Sequence, residues 1–400
     1  MINEILIDPI NQNKLYAGAR PQGMLKSVDG GKTWFPARIG LKNTSIYPLA
    51  MDPSDSRNLY LGTFGGGIYK SEDGGEKWTE VNDGIDNTNI HALAIDPANP
   101  MRIIAGTSTG EIFQSDNGGA HWMPFSLGLP NLNGEVIVTL RFDENRHSRL
   151  YLAEGPLYVS DEKGPWKLVG EKLVGETLTD FEIDPAGRLF YAGTLKHGLL
   201  SSRDEGKSWV SAASLFDKTW IQKIVLSPAN PEHLYVSVLG KGLFKSIDRA
   251  KNWIKLTGGL PQNDDVMSLK IDPKEPNRLY AGTHNLGIYM SSDGGTTWSA
   301  PIVKQEPIAK IIESLFTTDS IIDMKVTVPS SFNKCSKCHG WTDPILSQKK
   351  TYWRVSPNHR DWRETVKRMS PGAGLTQEEE KEIILFLDHF GRTHPPRTTD

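Results

Sequence analysis

The sequence predicts a mainly β chain, with a seven-bladed β-propeller followed by a small all-α domain. Three observations lead there. Seven tryptophans, Trp34, Trp78, Trp122, Trp166, Trp209, Trp253 and Trp298, step by 44, 44, 44, 43, 44 and 45 residues. Each closes a Ser-x-Asp-x-Gly-type turn, and each turn is preceded by short alternating apolar stretches. The only two cysteines, Cys335 and Cys338, lie beyond the last repeat.

Within each unit the order is fixed. An alternating stretch comes first and commonly ends in Asp-Pro, as in "IYPLAMDP", "IHALAIDP" and "VMSLKIDP". A short strand such as "NLYLGT" or "RLYAGT" follows, then a glycine turn and "GIYKS" or "GIYMS". The Ser-led turn and a Trp-led strand complete the unit. Period-two alternation bounded by Gly, Pro, Asn and Asp marks strands, four to a unit. Four antiparallel strands every 40 to 50 residues is the spacing of propeller blades, so residues 1–302 form seven of them.

The turn motif runs from "SVDGGKTW" (Ser27–Trp34) to "SSDGGTTW" (Ser291–Trp298). It is weakest in "SDEKGPW" (Ser160–Trp166), with Glu162 where Asp is expected, and blade six has Ala250 for Gly. Its Asp accepts backbone N–H groups of the hairpin, its Gly takes a positive φ, and its Trp buries a large face between blades. These residues resemble the Asp-box repeat of sialidases, sortilin-like receptors, xyloglucan-cleaving glycosidases and the photosystem II stability/assembly factor. The resemblance covers about three quarters of the chain and implies a structural role for the boxes. A sialidase would need clustered arginines with a Tyr/Glu pair, and the repeats place no arginine at a recurrent inward position. A glycosidase would need a paired acid and base, which cannot be picked out among so many turn carboxylates. "GTFGGG" (Gly62–Gly67) opens no helix and is a hairpin turn, not a phosphate loop.

Residues 303–327 contain no glycine and no repeat, and are expected to be a linker. The small domain is placed at 328–400. There Cys335-Ser-Lys-Cys338-His339 has the pattern that attaches haem c: two thiols on one helical turn form thioethers, and the adjacent imidazole meets the iron. A structural zinc site would need two more ligands at zinc spacing, and no second pair is present. Downstream, Trp362, Val366 and Met369 fall on one face of a short helix that stops at Ser370-Pro371-Gly372. Thr376 to Glu379 is a capping box before the amphipathic "EEEKEIILFLDHF".

This segment resembles small mono-haem c-type cytochrome domains, which implies Met369 as the distal iron ligand, with His359, His389 and His394 as alternatives. Pro329 departs from the pattern, because it leaves only a very short helix before Cys335. Trp341, Trp353 and Trp362 are expected around the ring, and Lys334, Lys337, Lys349 and Lys350 either steer an acidic partner or are ordinary solvated lysines.

Composition limits the remaining choices. Net charge is -3, with no basic tract of the kind that binds nucleic acid, and no apolar run long enough to span a bilayer. The last 73 residues carry about +3, leaving about -6 for the rest. Thioether attachment takes place outside the bacterial cytoplasm, so a periplasmic or extracellular location is expected. No signal peptide is visible from Met1, which falls inside a strand, so a leader upstream or a truncated start is expected. The functional expectation is a mono-haem c-type cytochrome that transfers electrons to a redox partner protein, with the propeller as docking scaffold and no identifiable catalytic constellation. The alternatives are a propeller-borne oxidoreductase or glycosidase with haem as electron outlet, and an assembly or binding module.

Overall fold

The computed structural model describes residues 1–300 and 302–303, apart from 131–135, 144–148, 154–156, 162–164, 170–172, 174–175 and 185–188. Glu162, most of the expected linker, the whole of 328–400, and with it Cys335, Cys338, His339 and Met369, lie outside the described residues.

The strands form seven sheets in chain order, antiparallel except where Ile302–Val303 joins the edge of the first in parallel. The first strands are Ile2–Ile7, Ile46–Met51, Ile90–Ile95, Thr139–Phe142, Leu178–Ile183, Ile221–Leu226 and Val266–Ile271. Each runs antiparallel to the Leu-Tyr-rich strand that follows it, and these first strands also pack against one another from sheet to sheet. They therefore surround the propeller axis. The second strands, such as Leu59–Thr63 and Leu279–Thr283, are buried at every residue. Sandwiched between two neighbouring sheets, they read as continuous apolar runs; burying each Leu or Ile stabilises the fold by about 1.5–3 kcal/mol. Fourth strands such as Thr79–Glu80 are short and exposed, forming the rim. Among the described residues there is no α-helix, only a 3-10 turn at Ser214–Phe216, and no helix long and apolar enough to cross a membrane.

The Asp boxes do what their residue types imply. In the seventh, Ser291 Oγ donates to Asp293 Oδ1 (2.8 Å) and accepts the Gly295 N–H (2.9 Å). Asp293 Oδ1 accepts the Thr297 N–H at 2.9 Å. Ala250 holds a positive φ of 68° in the sixth box, and the turn closes with the same bonds. Blade four forms its sheet from Thr139–Phe142 to Lys167–Val169 despite its altered box. Trp122, Trp166 and Trp78 donate their indole N–H to a carbonyl of the preceding blade, while Trp34, Trp209, Trp253 and Trp298 cap their own turns.

A second inter-blade tie was not expected from the sequence. The tyrosines of the second strands reach the next box: Tyr16 donates to Gly74 O (2.9 Å), Tyr60 to Gly118 O (2.9 Å), and Tyr235 to Gly294 O (3.1 Å). Tyr280 of blade seven donates to Gly30 O of blade one at 2.9 Å, so the same bond closes the ring.

Candidate functional site

The seven axial strands share one register, counted in blade four from Ile137, two residues before its strand. Their second positions are Asn3, Tyr47, His91, Val138, Thr179, Gln222 and Met267. Their third positions are Glu4, Pro48, Ala92, Thr139, Asp180, Lys223 and Ser268. Most of these residues line a cavity of about 590 Å³ at one mouth of the axis, with Arg20, Trp220, Asp265 and His284 at its edge. The fifth positions, two residues further along, include Arg141, Glu182 and Lys270.

The charges of the axis are paired across blades. Lys270 Nζ lies 3.2 Å from Glu4 Oε1, Lys223 Nζ 3.3 Å from Asp180 Oδ1, and Arg141 Nη2 3.0 Å from Glu182 Oε1. Asp180, only 2 % exposed, also accepts the Ile224 N–H at 2.7 Å. These environments push two carboxyls in opposite directions. Burial raises Glu4, but the attraction of Lys270 and then Lys223 outweighs it, so Glu4 sits below the usual carboxylate range. Burial raises Glu182, the neighbouring Asp180 adds to it, and Arg141 offsets this only in part, so Glu182 sits above that range. The ammonium of Lys223, disfavoured by burial, is restored and raised by Asp180 and Glu4.

The wall from blades two and three is different. Tyr47 packs against His91 with ring centroids 5.2 Å apart, and against Phe64 at 6.1 Å. Phe64 is 50 % exposed and Trp220, across the mouth, 39 %. Burial lowers the His91 imidazole, which is therefore neutral near pH 7. The mouth thus combines aromatic faces, amide and hydroxyl groups, and carboxylates. That mixture can stack an apolar ring face and hydrogen-bond several hydroxyls while presenting groups able to hold or take a proton.

None of these residues was singled out from the sequence. A signal was present: "INEILIDP" and "LTDFEIDP" carry charge at positions where other blades carry Ala or Pro. Arg141 stands on one blade only, so a search for recurrent arginines passes it by. Among the described residues no group of three His, Cys, Asp or Glu side chains is arranged to hold a metal ion. The expected haem ligands Cys335, Cys338, His339 and Met369 are not among the residues the cavity brings together, since they lie outside the described residues.

The family model described as "Sortilin, neurotensin receptor 3" (Sortilin-Vps10) matches residues 66–168 and 197–306, together more than half of the chain. In sequence, an 83-residue stretch is 28 % identical to a Neosartorya fischeri protein named "Probable oligoxyloglucan-reducing end-specific xyloglucanase", covering 20 % of this chain and 10 % of that one. In structure, the GH74 xyloglucanase from Xanthomonas campestris superposes with a TM-score of 0.63 at 18 % identity, over 74 % of this chain and 54 % of that one. YCF48 from Cyanidioschyzon merolae superposes with a TM-score of 0.57 at 14 % identity, over 72 % of this chain and 95 % of that one. At these identities the structures show the propeller fold alone. The chain spans about a tenth of the curated relative's length and about half of the xyloglucanase structure.

These findings correct one expectation. The chain was expected to work as an electron-transferring mono-haem c-type cytochrome, with the propeller as a docking scaffold. The sequence match and the best of these superpositions are instead to xyloglucanases that carry this propeller. The physical reason is visible at the axis. A scaffold would need only a packed channel, whereas this one opens into a cavity lined by the carboxylates of Glu4 and Asp180 together with amide and aromatic side chains.

Proposed function

The chain belongs to the Sortilin-Vps10 family, and from that premise we propose that its propeller is a glycoside hydrolase taking oligosaccharide at the axial mouth. The observation that carries this reading is the cavity itself. It sets the aromatic faces of Tyr47 and Trp220, the amides of Asn3 and Gln222, and the carboxylates of Glu4 and Asp180 around one space. A sugar ring offers an apolar face for stacking and a set of hydroxyls for amides, and cleaving its glycosidic bond needs a proton donor with a carboxylate partner.

In this reading Glu182, two positions beyond Asp180 on the same strand and outside the cavity lining, holds the proton that is relayed to the leaving oxygen. Burial among the axial strands favours its neutral form. Glu4, kept ionised by Lys270, is the base or nucleophile, and Lys223 fixes Asp180 beside it. The test is hydrolysis of a panel of xyloglucan and β-glucan oligosaccharides by the full chain. Glu4→Gln and Glu182→Gln are each expected to lower kcat by about 10²–10⁴ while retaining binding. The pH profile should fall on its acid side as Glu4 protonates, below the ordinary carboxylate range, and on its alkaline side as Glu182 ionises, above it. A wild-type chain that neither binds nor cleaves any member of the panel removes the reading.

Haem attachment at Cys335 and Cys338, with His339 and Met369 as axial ligands, remains a separate proposal. It is supported by the donor set, two thiols three residues apart with an adjacent imidazole. Bound there, haem would supply an iron centre, which glycoside cleavage itself does not require. Thioether formation carries the further proposal of an extracytoplasmic location. A haem-stained denaturing gel of the full chain tests both: haem retained after denaturation supports them, and unmodified mass at Cys335 and Cys338 overturns them.

A further inference from the structure

The axial ion pairs account for every charged side chain of the cavity and channel except two. Glu4 is matched by Lys270, Asp180 by Lys223, and Glu182 by Arg141. The rim acid Asp265 accepts the Gly240 N–H at 2.7 Å. Arg20 lines the same cavity and no carboxylate among the described residues pairs with it.

Its guanidinium is nevertheless held in place. Nη1 donates to the Tyr47 hydroxyl, the guanidinium carbon lies 5.3 Å from the centre of the Tyr47 ring, and Nη2 lies 3.9 Å from Met1 Sδ. A half-buried guanidinium fixed by a phenol and left without an acid is prepared for one delivered from outside. Its planar fork matches a carboxylate through two parallel N–H···O bonds.

Resting on the glycoside reading, we propose that the mouth selects an acidic glycan, with Arg20 binding the carboxylate of a uronic-acid residue. The neighbours favour a sugar over an acidic peptide. Asn3 and Gln222 line the same space, and each amide both donates and accepts, as a ring's vicinal hydroxyls require. A uronate residue carries its carboxylate and its hydroxyls on one ring, so one sugar satisfies both the cation and the amides. The negative charge of the propeller part disfavours an anion at long range, and the interaction at Arg20 is a short-range one within a lined cavity.

Calorimetric titration of the full chain with an oligogalacturonate and its carboxyl-reduced counterpart tests this. The uronate is expected to bind about tenfold more tightly, a difference of about 1.4 kcal/mol. Arg20→Ala should bring that ratio to about one, and Arg20→Lys should retain only part of it, since an ammonium cannot form the paired bonds. Tyr47→Phe keeps the ring, removes the hydroxyl that orients Arg20, and should also shrink the ratio; it serves if Arg20→Ala melts early by circular dichroism. A wild-type ratio near one, or a ratio that survives in Arg20→Ala, overturns the proposal. So does an acidic peptide that binds as tightly as the uronate with the same dependence on Arg20. If the chain cleaves neutral oligosaccharides without preferring uronates, the acidic-glycan inference falls and the glycoside reading stands. If it binds neither of these sugars the acidic-glycan inference falls, and if it also neither binds nor cleaves any xyloglucan or β-glucan oligosaccharide both fall.

Discussion

Asn117 shows what an Asp box needs from its central residue. In blade three it replaces the aspartate, accepts the Ser115 hydroxyl at 2.8 Å and receives the His121 N–H at 2.9 Å. One acceptor oxygen therefore suffices to close the turn, and the charge of the other boxes is additional. That charge has a pH signature. Asp204 and Asp293 are held at about 2, first by the side-chain hydrogen bonds of Ser208 and Thr297. Asp248 is held at about 2 first by the Asn252 backbone N–H. A carboxyl depressed on folding contributes stability that is full above its unfolded value, near 3.8, and is lost as pH falls toward 2. Replacing Asp204, Asp248 and Asp293 together by Asn removes three groups that must protonate in that window. The apparent Tm of the triple variant is expected to fall less steeply than the wild type's between pH 4 and 2, with a small offset at pH 7. Parallel curves would show that the boxes do not drive acid unfolding.

At the scale of the blade, the residues that matter most are the linkers between sheets. Gly84 has a φ of +87°, and a Cβ there would sit 2.1 Å from Trp122 O in the next blade. The Trp122 N–H in turn donates to Asp83 O at 2.8 Å, which holds the linker against the next tryptophan. Gly40 repeats this against Trp78 O, also at 2.1 Å. Gly84→Ala combines a left-handed backbone with a collision against main chain, which cannot move aside. It should cost about 1–3 kcal/mol in denaturant unfolding; an unchanged midpoint would mean the linker can lift off Trp122. The period of the tryptophans makes the blades legible in sequence, and the boxes explain their turns. The glycine linkers were less visible, because their need for Gly comes from the neighbouring blade's carbonyl, not from a local turn. The axial site was harder still. Alternation tells which face of a strand is apolar, but both faces of a propeller's first strand lie inside the molecule. Glu4 and Asp180 become cavity residues only once seven registers are superposed, and Arg20 reaches the same mouth from a loop between strands.

On the scale of the whole ring, at six blade interfaces the chain continues into the next blade's first strand, whereas from blade seven it reaches blade one only to be hydrogen-bonded at its edge. The interface between blades seven and one is held by Tyr280 donating to Gly30 O, Ser268 Oγ donating to Ile2 O at 3.1 Å, Lys270 meeting Glu4, and Ile302–Val303 pairing in parallel with Thr33 and Trp34. Burial pushes the Tyr280 phenol up to about 12, so it remains a donor at any physiological pH. Loss of one such bond leaves a buried carbonyl unmatched, a cost of about 1–3 kcal/mol wherever it occurs. The consequences differ by position. At a linked interface the tether keeps the separated faces at high effective concentration, so they reclose; at the seam only non-covalent contacts oppose opening. Tyr280→Phe should therefore raise amide exchange in Ile2–Ile7 and Val266–Ile271 above that of the other axial strands. Tyr60→Phe, which removes the same bond between blades two and three, should leave exchange evenly distributed. The seam also carries Glu4, whose ionisation depends on Lys270 across it. An opened seam would release the carboxylate proposed as base, so Tyr280→Phe should lose hydrolysis at temperatures where the remaining blades are still folded. Equal exchange patterns in the two variants would show that the ring is held as firmly at its ends as within its chain.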